Sequence, residues 1–102
     1  DLDSPDDARV AAAIEALERG LRKADAETRA RAAARLVPLA RHASSDVRRA
    51  VASAAVYFPE AALDEVARVL DGDAHAYVES ALRLTLDIRA KAGRERDHGG
   101  AS

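Results

Sequence analysis

The stretch Ser44-Ser45-Asp46-Val47-Arg48-Arg49-Ala50-Val51-Ala52-Ser53-Ala54-Ala55-Val56-Tyr57-Phe58 limits the fold more than any other part of the chain. Val47, Ala50, Val51, Ala54, Ala55 and Phe58 recur at i, i+3, i+4, i+7, i+8 and i+11, which is one face of an α-helix. Half of that face is alanine, whose side chain ends at Cβ, so neighbouring helices can approach closely. Ser44, Ser45 and Asp46 offer side-chain oxygens to the first turn, and Pro59 closes the last one. The spacing therefore predicts a helix over about 45–57 inside a stack of helical hairpins.

The rest of the chain agrees with an all-α fold. Hydrophobic residues make up 48% of the 102, yet only three are aromatic and none is Trp or Met. Much of the apolar share is alanine, the strongest helix former. The β-branched residues never alternate with polar ones over the length of a strand. One domain is expected over 1–92, followed by a polar tail or linker over 93–102 that should be disordered.

Five helices can be read in order. Ser4-Pro5-Asp6-Asp7 has the form of a helix start, with Val10, Ile14, Leu17 and Leu21 as the inward stripe of a helix over about 5–23. Asp25 caps a second helix that buries Thr28, Ala32, Ala33, Leu36, Val37 and Ala40. Pro38 removes the bond to the Ala34 carbonyl and costs about 3 kcal/mol unless the helix gives way. Either a kinked helix runs over 26–43 or two shorter ones meet near Leu36–Pro38. After the 45–57 helix, Pro59-Glu60 opens a fourth, which Asp71-Gly72-Asp73 ends with Gly72 in the left-handed conformation. The fifth, over about 74–91, carries Tyr77, Val78, Ala81, Leu82, Thr85 and Ile88 on one face. Leu84 and Leu86 widen that face beyond what a terminal helix needs, which favours a partner, a further repeat, or pairing with a second copy.

Two internal matches suggest repetition. Thr28-Arg29-Ala30-Arg31-Ala32-Ala33 aligns with Val47-Arg48-Arg49-Ala50-Val51-Ala52, and Val47 with Tyr77 or Val78 about 30 residues on. Leu36-Val37-Pro38-Leu39-Ala40, followed by Ser45-Asp46-Val47-Arg48-Arg49-Ala50-Val51, resembles a HEAT-type repeat: a first helix, an Asp-containing turn, and Val-Arg opening the second helix. Asp25 to Arg29 and Asp71 to Val78 are weaker copies, and the resemblance covers about residues 8–90. It implies an α-α superhelix of about five helices. The chain departs from the pattern in a first interval of only 19 residues and in Tyr77-Val78-Glu79, which lacks the Arg.

Charge and chemistry narrow the function. Net charge is −2, but the signs fall in blocks: six acids and one base over 1–18, nine bases and three acids over 19–49, six acids and one base over 60–79. These blocks either pair between stacked helices or leave a basic surface over 19–49. Cysteine is absent, which removes disulfides, thiolate metal sites and a cysteine nucleophile and leans towards a cytoplasmic protein. No apolar run is long enough to span a membrane and no signal peptide is visible. Asp71, Asp73 and His75 lack the further ligands of a calcium loop and read as a capping turn. No serine sits in a Gly-rich elbow, and there is no phosphate loop. We therefore expect no enzyme, no metal and no cofactor.

In HEAT-like stacks the second helices line the concave side. The resemblance thus implies a contact surface at Arg31 and Arg35, Arg49 and Ser53, and Glu79 and Arg83. Arg48, and less clearly Arg29, should instead point along the stack to an acid of the next repeat. The plain alternative for these arginines is a solvated face. The expected function is a non-enzymatic protein-interaction or scaffold module within a larger bacterial regulatory or signalling protein. The alternative is nucleic-acid binding through the basic 19–49 segment.

Overall fold

A computed structural model describes the backbone of residues 7–101 and the side chains of residues 7–93. The proposed start at Ser4 and Pro5 lies outside the described residues. Five helices, α1 (Asp7–Leu21), α2 (Ala26–Leu36), α3 (Ser45–Ala54), α4 (Glu60–Leu70) and α5 (Ala76–Ala101), follow one another, and no strand occurs among the described residues. The fold is all-α.

Each boundary has a local cause. The Asp25 carboxylate accepts from the Thr28 N–H at 2.8 Å and starts α2. Pro38 breaks it: α-helix gives way to a 3₁₀ segment, Val37–Arg41, with the proline in its first turn. Proline's missing N–H is harmless there because the first donors of a helix have no internal partner. Of the two readings for 26–43, two short pieces meeting near Leu36–Pro38 is the one observed. α3 likewise tightens into a 3₁₀ turn, Ala55–Tyr57, before Pro59 opens α4. Gly72 takes φ +72 after α4, the left-handed region that glycine reaches without strain.

Two expectations at helix ends need correction. Ser44 stands at the N-cap of α3 but makes no side-chain cap bond. Its backbone N–H donates to His42 Nδ1 at 3.0 Å, while the Ser45 hydroxyl bonds the Tyr77 hydroxyl. At the other end, α5 does not stop near residue 91. Its backbone stays helical to Ala101, across the stretch read as a disordered tail. No proline follows Pro59 to halt it, and Arg94, Glu95 and Arg96 are good helix formers that offset Gly93.

α3 is the hub of the packing. It lies between α1 and α5, with the 3₁₀ segment and α4 against another side, while α2 packs against the 3₁₀ segment and α1. With neighbours on several sides, Val47, Val51, Ala52, Ala54 and Ala55 are all fully buried. Ile14 of α1, Leu36 of α2, Phe58, Val66 and Leu70 of α4 and Val78 of α5 complete the core. The alanines fit this position: a larger residue at 52 or 54 would hold neighbouring helices apart.

The side-chain contacts fix the direction of the row. Glu15 of α1 pairs with Arg49 of α3, 34 residues on, at 3.5 Å. Between α3 and α5, Ser45 meets Tyr77, the Ala52 carbonyl accepts from the Thr85 hydroxyl at 2.7 Å, and the Val56 carbonyl accepts from Arg89 at 3.2 Å. Those three pairs ascend together with separations of 32, 33 and 33. Hence α1, α3 and α5 run parallel and side by side. The α3–α5 offset is close to the period near 30 read from Val47 against Tyr77 or Val78. The 19-residue match behaves differently, for it aligns α2 with α3, two helices that occupy different places in the packing.

Candidate functional site

Arginine at the fourth position of a helix explains that 19-residue match. Arg29 in α2 donates to the Leu21 and Arg22 carbonyls at 2.9 and 3.0 Å. Arg48 in α3 donates to the His42 and Ala43 carbonyls at 2.8 and 2.9 Å. Both bond carbonyls at the end of the preceding helical segment, where Leu21 also accepts from the Ala24 N–H at 3.2 Å, and both place a cation at its negative end. Arg48 also reaches Asp73, in the turn before α5, at 2.9 and 3.4 Å. This is the expected contact with an acid of the neighbouring unit. Arg29 makes no such contact; it lies over the Tyr57 ring at 5.2 Å instead.

Asp73 is therefore a structural residue. The Arg48 guanidinium holds its carboxyl below the usual range, and the His75 N–H, donating at 3.0 Å, adds to the effect. Asp73 was expected to cap α5, but its carboxylate accepts from the His75 N–H, one residue before the helix begins at Ala76, so it closes the turn and not the helix end. Among the described residues no three His, Asp or Glu side chains lie close enough to hold a metal ion.

The six residues of the expected contact surface fall in three separate places. Arg31 is exposed on α2 and pairs with Glu27 one turn back, and Arg35 lies one turn further along the same helix. Arg49 and Ser53 sit on the open flank of α3, sharing a cleft of about 250 Å³ with Glu15, Glu18 and Arg19 of α1. Partial burial, reinforced by Glu15, pushes the Glu18 carboxyl up in that cleft. Glu79 and Arg83 pair with each other along α5 at 2.6 Å. Arg83 stands two residues before Thr85, about 200° round the helix from the side that touches α3. The structure thus joins Arg49 and Ser53 to α1 and leaves the other four apart from them. The cause is the packing: α2 is not a member of the α1–α3–α5 row.

The row exposes something else. Tyr77, Leu84 and Ile88 are 44%, 61% and 48% exposed, the large apolar side chains left open among the described residues. With the half-buried Ala81 they follow a 4-3-4 spacing, so they form one stripe along α5. Tyr77 and Ile88 were expected on the buried face, but that face belongs to Val78, Leu82 and Thr85, one position round. The stripe borders the open flank of α3: Tyr77 touches Ser45 at one end, and Ile88 shares a cleft with Val56, Arg29 and Arg89 at the other. The sequence alone does not choose between the two faces. Two interleaved seams, 77-81-84-88 and 78-82-85-89, both fit α5, and only the Arg at 89 and the Thr at 85 distinguish them by polarity.

A cleft of about 750 Å³ opens between the 3₁₀ segment, the last turns of α4 and Asp73. Arg41 and Arg68 face it together with Glu65, while Arg48 and Asp73 neutralise each other at its edge. His42 presents Nδ1 to the Ser44 N–H, and its Nε2 lies 3.8 Å from Asp7. No nucleophile is aligned with a base in this cleft. No described helix is long and apolar enough to cross a membrane. Comparison of the chain with protein-family models, with curated proteins and with solved structures gives no match.

Proposed function

We propose that the chain is a non-enzymatic protein-interaction module whose working surface is the open flank of the α1–α3–α5 row. The stripe of Tyr77, Leu84 and Ile88 carries this reading. Covering Leu84 or Ile88 would stabilise a complex by about 1–2 kcal/mol each at their present exposure. Ser45, Ser53 and Asp87 supply a polar rim of the kind that surrounds interface cores. The parallel row, with α4 and the 3₁₀ segment packed against its central helix, supports a HEAT-like stack within a larger regulatory protein.

The basic 19–49 segment gives the nucleic-acid alternative little support. Arg29 and Arg48 are occupied by backbone carbonyls, and Arg31 by the Glu27 carboxylate one turn back. Its cations are also divided between α2 and the row, so they do not make one phosphate-tracking surface.

Recovery of bound protein by the purified domain tests the reading. Leu84→Glu should abolish recovery while leaving the melting temperature within about 2 °C, since the side chain is exposed. Arg31→Glu, on α2, should change neither. Full recovery with Leu84→Glu, or an equal loss with Arg31→Glu, refutes the assignment of this surface.

A further inference from the structure

Resting on that reading, we infer that the stripe receives a single amphipathic helix with acidic residues along one flank, seated between α5 and the open side of α3. Tyr77, Ala81, Leu84 and Ile88 span three turns, about 17 Å, the footprint of one short helix. The seam does not continue, since its next positions are Lys91 and Glu95. It is too short for a coiled coil between two copies of α5.

Area and charge argue against a second copy in another way. The three exposed side chains together leave open on the order of 300 Å², against roughly 800 Å² per partner in a stable dimer. A second copy would have to bring the α3 flanks together as well. The α3–α5 offset of 33 sets the middle of the stripe, near residues 82 and 83, level with Arg49. A two-fold axis pairing the stripes face to face, antiparallel, would place Arg49 over its own copy. A separate helix avoids this repulsion.

Arg49 also selects the partner's charge. Its ion-pair partner, Glu15, is 3.5 Å away, with Glu18 and Arg19 lining the same cleft, and the two paired side chains are 42% and 45% exposed. Such a pair contributes little and leaves guanidinium donors free for a second carboxylate. An acidic flank on the incoming helix meets that need. A neutral flank leaves the donors to water.

The test uses two synthetic, fluorescently labelled helices of about 18 residues with the same leucine seam. One carries Glu along one flank and Gln along the other; the second carries Gln on both, with similar helix propensity. Anisotropy against the full 102-residue chain should show the Glu helix binding about tenfold more tightly. Arg49→Glu should erase that preference, Arg31→Glu should leave it, and Leu84→Glu should abolish binding of both peptides. Equal binding of the two helices, lost with Leu84→Glu, overturns the acidic flank while the docking face stands. A dimer in sedimentation that Leu84→Glu dissociates makes the second copy the occupant and overturns the inference. Binding of both helices unchanged by Leu84→Glu overturns the inference and the docking face together.

Discussion

Arg48→Met isolates the interaction that ties three segments of the chain together. The substitution keeps most of the aliphatic stem and removes the guanidinium from Asp73 and from the His42 and Ala43 carbonyls. The Arg48 and Asp73 side chains are only 15% and 9% exposed, so the carboxylate left behind is largely desolvated. Removing one partner of a buried pair costs about 3–5 kcal/mol. The pair borders the 750 Å³ cleft, where water can take up part of the lost bonding, which lowers the expectation to about 2–3 kcal/mol. For a chain of this size that corresponds to a fall in Tm of about 10–20 °C.

The pH dependence separates this mechanism from a general packing defect. Asp73 has its folded pKa lowered, first by the Arg48 bond and further by the His75 N–H. Such a group contributes stability above the unfolded carboxylate value, about 3.9, and the contribution is lost as pH falls through the lower folded value. The gap between wild type and Arg48→Met should therefore be full at neutral pH and shrink below about pH 4. The bonds to the two carbonyls do not titrate, so about 1 kcal/mol of the gap should persist in acid. Urea unfolding followed by far-UV circular dichroism, at pH 7 and near pH 3, measures both terms. Combining Arg48→Met with Asp73→Asn should return a coupling of about 1–2 kcal/mol. A gap below about 0.5 kcal/mol, or one that is identical at the two pH values, refutes the assignment.

Three further substitutions follow from the packing. Thr85→Val removes the hydroxyl that donates to the Ala52 carbonyl at 2.7 Å within the α3–α5 contact, and should cost about 1–2 kcal/mol in urea unfolding with an unchanged m value. Ala52→Leu forces three extra carbons into that contact and should lower stability by about 1–3 kcal/mol, whereas a packing gap at this point would make it neutral. Gly72→Ala meets no atom within 4 Å, so its expected loss of about 1–2 kcal/mol is conformational; an unchanged melting temperature would show that the turn relaxes out of the left-handed region.

Helix positions were legible in this sequence because each boundary is set by a local device. Asp25, Pro38, Pro59 and Gly72 act on the few residues beside them, and all four act in the structure as their chemistry requires. The α3 face of Val47, Ala50, Val51, Ala54, Ala55 and Phe58 was equally legible, but Ala52, off that spacing, is buried as well because α5 covers it. α5 was not legible, because two seams fit its pattern. Its rotation is settled by Thr85 and Arg89 finding carbonyls at the end of α3, and that is a tertiary fact. The candidate surface was misplaced for a related reason. Equating α2 with α3 put Arg31 and Arg35 on a face from which packing excludes them.

That error points to how the row ends. The arginine at the fourth helical position is a corner device, which fastens a helix to the carbonyls of the segment before it, and α2 and α3 both carry it. The device therefore serves two helices that take different places in the packing. α5 has Glu79 at this position, and the turn before it is fastened from outside, by Arg48 of α3. The remaining ties of α5 to α3, at Ser45, Ala52, Val56 and Phe58, all lie along one side of the helix. A helix fastened along one side and at its entry turn leaves an adjoining apolar seam uncovered. On this account the exposure of Leu84 follows from the way α5 is held, and the same side chains that fix its rotation leave its stripe open.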